Sequence, residues 1–151
     1  MVIDTHALTW WLEESPKLSR RAGGIISSAR EAPRPLLVSA VSFWEMRLKE
    51  CRGHFLPKTP VSEWPAFLAK VPWIEIVDTT ASIWIAAAAL DWNHRDPADR
   101  LIAATAIAHG VPVLTKDRLF HRKGCPVEEF GSLRRKSLVP YRQSETRRPL
   151  W

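Results

Sequence analysis

Residues 94–110 read HRDPADRLIAATAIAHG. Two carboxylates, Asp96 and Asp99, stand directly before an apolar run that has the look of a core helix. Acids are rarely buried without a partner, so their place at the mouth of such a helix needs a reason. Capping is one. Asp96 suits the N-cap, where its side chain accepts a backbone N–H of the first turn. Pro97 then occupies the first helical position, where a missing N–H costs nothing. Asp99 falls near the positive end of the helix dipole, and Gly110 suits the residue that closes the helix. The other reason is chemistry, with the acids serving a site. On this stretch both readings stand.

Working outward, VPVLT (111–115) reads as a buried strand followed by Asp117. Upstream, MVID reads as a strand from the first residue and HALTWWLEE as a helix. Ser15 and Pro16 look like the start of a second helix running to about Ala29, weakened by Gly23 and Gly24. PLLVSA (35–40) is a strand that passes into a helix over 39–52, with Ser39 as cap and Gly53 as stop. VSEWPAFLAKV reads as a helix, WIEIVD (73–78) as a strand, and 80–92 as a helix. CPVEEF (125–130) reads as a last edge strand. Short apolar strands alternating with helices predict an α/β layered fold with a mostly parallel central sheet.

A length of 151 residues suits one domain with a sizeable core. The longest apolar run, ASIWIAAAAL (81–90), is too short to span a bilayer, and no basic segment of a secretory signal precedes HALTWWL. Cys51 and Cys125 form no metal-ligand pattern. The expectation is a cytoplasmic protein with reduced thiols and no membrane association. The formal net charge is +6, of which residues 133–151 carry +5. We therefore read a globular domain over 1–132 and a basic C-terminal tail over 133–151. The tail reads as a solvated extension, the alternative being sequence-independent binding of phosphates.

In an open parallel sheet, sites form beyond the carboxyl ends of the strands. Asp4 ends the first strand, and Asp117 follows the VPVLT strand. Glu45 lies in the helix after LLVS, and Asp99 begins the helix leading into VPVLT. If the strands are neighbours, four carboxylates meet at one sheet edge. Acids that close do not all stay ionised without cations, and hard divalent ions prefer oxygen ligands. Each acid has a structural alternative: a cap for Asp4, an i, i+4 pair with Lys49 for Glu45, and a strand end or a pair with Arg118 for Asp117. The set is stronger than its members.

The segments VIDTHALTWWL, LLVSAVSFWEMRLK, HRDPADRLIAATAIAHG and VPVLTKD together resemble the PIN-domain ribonucleases, and more narrowly the VapC-type toxins of toxin–antitoxin pairs. The resemblance spans about residues 1–130. It implies a PIN-like three-layer α/β/α fold and a Mg²⁺- or Mn²⁺-dependent endoribonuclease that hydrolyses RNA by metal-activated water. Matching motif positions makes Asp4, Asp99 and Asp117 metal ligands, with Glu45 acting directly or through water. Asp96 is then the cap or an outer support of the site, as Thr5 and Thr115 are beside their neighbouring acids. A cognate antitoxin and a homodimer are further implications. The competing readings are a non-catalytic nucleic-acid-binding module and a metal-dependent DNA nuclease or phosphatase using the same acids.

Arg95 and Arg100 flank the acids and are read as phosphate contacts, with surface ion pairing as the alternative. His94 is read as structural, with substrate contact or orientation of a carboxylate as alternatives. None of His6, His54, His94, His109 and His121 has metal-ligand spacing. Trp44 and Trp84 are expected in the core. Trp10 and Trp11, adjacent on a helix, are expected in different surroundings.

Overall fold

The computed structural model describes residues 1–120, 125 and 127. The edge strand read over 125–130, apart from Cys125 and Val127, and the tail over 133–151 lie outside the described residues. So does His121. No described helix is long and apolar enough to cross a membrane.

Strand β1 (Val2–Ile3) lies at the centre of the sheet, between β2 (Leu36–Ser39) and β4 (Val113–Leu114), and β3 (Ile74–Val77) pairs with the outer side of β2. All pairings are parallel. The helices are α1 (Thr5–Leu12), α2 (Arg20–Ser28), α3 (Val41–Cys51), α4 (Trp64–Leu68), α5 (Ala81–Ala89) and α6 (Pro97–His109).

Strand alternation builds the layers. Successive side chains point to opposite faces. Val2, Leu37, Val77 and Val113 pack against α5 and α6, through Ile83, Ala87, Leu101 and Ile102. Their neighbours Ile3, Leu36, Val38, Ile74 and Leu114 pack on the other face against Ala7, Leu8, Ile26 and Leu68 of α1, α2 and α4. Both faces of the sheet are covered, which explains why the strands read as continuous apolar runs. The result is the expected three-layer α/β/α arrangement.

The opening stretch behaves as read at both ends of α6. The Asp96 side chain accepts the N–H of Ala98 at 2.9 Å, and Pro97 stands in the first turn. Gly110 closes the helix at φ 61°, a backbone region that favours glycine. Asp96→Ala should therefore cost about 1 kcal/mol of stability, the usual cost of a lost cap. Chemical denaturation would measure it, and we expect substantial activity in the folded variant.

Four local expectations need correction. Helix α2 starts at Arg20, with Ser19 accepting the N–H of Ala22 at 3.1 Å. Ser15 instead accepts the N–H of Lys17 in a turn. Both serines fit the capping pattern, and the helix takes the later one. Ser39 does not cap α3: it is the buried last residue of β2, and its hydroxyl lies 3.3 Å from that of Thr105 on α6. Since the Thr105 hydroxyl donates to the Leu101 carbonyl, Ser39 is the donor in that pair. Residues read as one helix over 61–71 divide into a 3₁₀ turn (Val61–Glu63) and the short α4. Trp44 and Trp84 lie outside the core, 55% and 52% exposed. Helix α3 buries Val41, Ser42 and Met46, a stripe that leaves Trp44 out. Helix α5 is apolar all round, so its sequence does not mark an inner face, and the fold buries Ile83 and Ala87. Trp10 and Trp11 do differ: Lys116 lies over the Trp10 ring at 5.2 Å, while Trp11 meets Trp73 edge-on.

Candidate active site

Asp4 directly follows β1, and its backbone N–H donates to the Leu114 carbonyl at 3.0 Å, extending the sheet ladder by one rung. The rung fixes Asp4 at the carboxyl end of β1, beside that of β4. Although Asp4 precedes α1, its side chain makes no capping bond. Its Oδ2 accepts the Thr115 hydroxyl at 2.8 Å, and the Thr115 hydroxyl in turn accepts the Asp117 N–H at 2.9 Å. Thr115 thus ties the end of β1 to the turn carrying Asp117. The Asp4 side chain is buried, and its Oδ1 has no hydrogen-bond partner. Burial pushes the Asp4 carboxyl above its ordinary value, with the Thr115 bond opposing the shift. A buried carboxylate oxygen without a partner is costly.

Asp99 sits in the first turn of α6. Its carboxyl is pushed up to about 8, first by burial and then by the charges of Asp4, Asp96, Glu45 and Asp117. These are the acids the sequence brings to one sheet edge. Glu45, on α3, gives one oxygen to the Lys49 ammonium at 2.7 Å, so the alternative reading of this pair is also realised. One turn earlier, Thr5 donates to the Ser42 hydroxyl at 3.0 Å in a buried bond that fastens α1 to α3. Thr5 therefore acts on the helix that carries Glu45. Asp117 accepts the Leu119 N–H through Oδ1 at 2.8 Å, a local turn bond in place of a pair with Arg118.

The two arginines part company. Arg95 is exposed. Arg100 is turned away from any phosphate role: its Nε donates to the Ala87 carbonyl at 2.9 Å, Nη1 to Trp92 and His94, and Nη2 to Ala88 and Leu90. Every guanidinium nitrogen is committed to carbonyls of the last turn of α5 and of the segment that follows it. Sequence reasoning offered surface pairing as the alternative, and the planar five-donor fork serves the backbone instead.

His94 is the residue the sequence understated. Its buried Nε2 lies 3.1 Å from Asp99 Oδ2 and 3.8 Å from Asp117 Oδ2. His94, Asp99 and Asp117 offer ligand-type atoms within 4.8 Å of one another. Its ring is packed by Trp92 at 4.4 Å and Phe120 at 6.2 Å between centroids. Phe120 is far along the chain, so local spacing gave no signal of this packing.

The donor set suits a hard divalent cation: oxygen ligands in excess, a buried Asp4 Oδ1 without a partner, and a carboxyl at Asp99 held up by its neighbours' charges.

A fold of this kind with carboxylates at its central strand ends is that of a PIN domain, and the family model for the PIN domain matches residues 1–124. Ribonuclease VapC22 of Mycobacterium tuberculosis is 37% identical over 130 residues, covering 84% of this chain and 95% of that protein. The chain belongs to the PIN-domain family, in its VapC branch. Among solved structures, VapBC2 from Rickettsia felis, bound to a DNA fragment from its promoter, superposes with a TM-score of 0.60 at 16% identity, covering 85% of this chain and 96% of that one. FitAcB from Neisseria gonorrhoeae does so with a TM-score of 0.56 at 22% identity, covering 85% and 95%. At those identities the likeness is one of fold.

Proposed function

We propose that this protein is a metal-dependent endoribonuclease, the toxin of a type II toxin–antitoxin pair. The observation that carries the reading is the buried Asp4 carboxylate, unpartnered at Oδ1, within the field of Asp99 at the carboxyl edge of the central strands. The similarity to a ribonuclease along nearly its whole length supports RNA as substrate.

Asp4, Asp99 and Asp117 would hold Mg²⁺ or Mn²⁺, and Glu45 would join them directly or through water. When bound, the ion acidifies a water and offsets charge on the phosphoryl and leaving oxygens. The remaining work belongs to the protein. Thr115 orients Asp4 through Oδ2, leaving Oδ1 without a protein partner, and Oδ1 is the oxygen that would serve a cation. Lys49 holds one oxygen of Glu45, which restrains that carboxylate. Asp96 sets the start of α6 and so the placement of Asp99. Arg95, exposed and adjacent in sequence to Asp96, is the arginine proposed to meet an RNA phosphate.

A cognate antitoxin and a second toxin copy are the proposed protein partners, in the cytoplasm. A groove of about 460 Å³ between α1 and α2, lined by Trp10, Trp11, Leu18 and Phe67, and the exposed Trp84 and Ile85 of α5 support protein partners. None of the proposed metal ligands lines the groove.

Comparison of labelled RNA, DNA of the same sequence and a phosphate monoester tests the reading. Cleavage of RNA alone is expected. Turnover of DNA or the monoester in preference would assign a different reaction to the same acids. No turnover with intact RNA binding would leave a binding module.

Residues 133–151 carry most of the net charge and none of the proposed ligands. Truncation to 1–132 should leave Mn²⁺ binding and single-turnover cleavage at saturating RNA intact. RNA affinity should fall at low salt, with a deficit that shrinks as salt rises. A large loss of the saturated rate in the folded truncation would assign the tail to the active site.

A further inference from the structure

We infer that His94 is a positioning residue that turns its Nε2 proton toward Asp99, and that it does not ligate the metal although it stands among the ligands. The inference rests on the metal site proposed above. Its basis is the other ring nitrogen: Nδ1 accepts the backbone N–H of Asp96 at 3.1 Å. A neutral imidazole carries one proton, and the nitrogen that accepts a bond is the one without it. The proton is therefore on Nε2. Placing it on Nδ1 would set a donor against the Asp96 N–H.

Nε2 with its proton has no lone pair for a cation. It faces Asp99 Oδ2 at 3.1 Å and Asp117 Oδ2 at 3.8 Å. The shorter contact is not a linear hydrogen bond, since the buried Nε2 has no well-aligned acceptor. Asp99 Oδ2 is the nearer carboxylate oxygen, and Asp117 Oδ2 lies beyond hydrogen-bond distance. A donor placed there limits how far the Asp99 carboxylate can swing, which is the role outer partners of metal-binding carboxylates play.

The ring cannot readily turn. Its side chain is 4% exposed, and Trp92 and Phe120, themselves 4.9 Å apart and edge-on, pack around it. The segment carrying it has no regular secondary structure between α5 and α6, and Arg100 supplies what is missing. Its bonds to the carbonyls of Leu90, Trp92 and His94 hold that segment against α6. Arg100 adjoins Asp99 in sequence. The same turn of α6 thus provides a carboxylate and the anchor of the ring that orients it.

Nitrogen NMR of the full chain labelled at histidine reads the tautomer directly, with His94→Gln supplying the assignment. We expect an unprotonated Nδ1 and a protonated Nε2 at His94 in the metal-free protein, unchanged on saturation with Mg²⁺ or with Zn²⁺, a diamagnetic ion with high affinity for imidazole. Loss of the Nε2 proton on adding Zn²⁺, or a protonated Nδ1 in the metal-free protein, would overturn the inference. The tautomer is read without metal, so it is decided even where the metal site itself fails. In a second arm, His94→Ala should lower Mn²⁺ affinity and the saturated cleavage rate by roughly 10- to 100-fold with KM for RNA unchanged. His94→Gln, whose amide N–H₂ can replace the Nε2 donor, should recover part of that loss. Equal losses in the folded Ala and Gln variants would count against a donor role.

Discussion

Asp99→Asn should reduce RNA cleavage by roughly 100-fold or more, the upper end of what support residues of metal sites cost, because here a ligand itself is replaced. The fold should survive. Asp99 lies in the first turn of α6, and the cap is supplied by Asp96. Asparagine keeps the shape and removes a charge that burial, Asp4, Asp96, Glu45 and Asp117 all oppose. The metal-free variant should thus be at least as stable as the parent at alkaline pH. Asp4→Asn should show the same loss of cleavage through a different route, since it alters the buried Oδ1 that lacks a partner. Circular dichroism with single-turnover cleavage checks the pair. A folded Asp99→Asn protein that cleaves at the parental rate would remove Asp99 from the site.

The second large effect is a coupling of pH, metal and stability. In the folded, metal-free protein the Asp99 carboxyl is raised from 3.8 to about 8. Between those values the folded state holds a proton that the unfolded state has lost. Stability from this group is therefore fully present at acid pH and is lost as pH rises through that window. The raised Asp4 carboxyl acts in the same direction. A divalent cation replaces the proton, so its affinity should increase with pH and its binding should release protons. In EDTA, the Tm of the parent should fall relative to that of Asp99→Asn as pH rises toward 8. Millimolar Mn²⁺ should restore the parent's Tm at alkaline pH and leave Asp4→Asn unmoved. A parent Tm that rises with pH relative to Asp99→Asn in EDTA would reverse the assignment of the raised carboxyl.

The layered fold was legible because β1, β2 and β4 are buried throughout and read, apart from the closing Ser39, as apolar runs, and because α6 carries its own start and stop in Asp96, Pro97 and Gly110. The nearness of Asp4, Glu45 and Asp117 to Asp99 was legible for a related reason: strand ends in a parallel sheet share one edge, so position along the chain became position in space. Other features depended on contacts that sequence spacing does not encode. Trp84 sits on a helix apolar on every side, so only packing chooses its inner face. Ser39 fits a capping pattern, yet Thr105, far along the chain, gives its hydroxyl a better place in the sheet layer. Arg100 read as a phosphate contact or a surface ion-pair partner, and its partners are backbone carbonyls at the end of α5 and in the irregular segment after it. His94 acquires its role from Trp92, Phe120 and the Asp96 N–H together. No motif spacing for histidine describes that combination.

The central claim is that Asp4, Glu45, Asp99 and Asp117 form one cation site at which RNA is hydrolysed. Its most direct test is cleavage of end-labelled cellular RNA by EDTA-stripped protein, followed by addition of Mg²⁺ or Mn²⁺. The account predicts no cleavage after stripping and recovery on adding either ion, with 5′-phosphate and 3′-hydroxyl product ends. It predicts no recovery for Asp4→Asn. Undiminished cleavage by the fully stripped parent protein would contradict it.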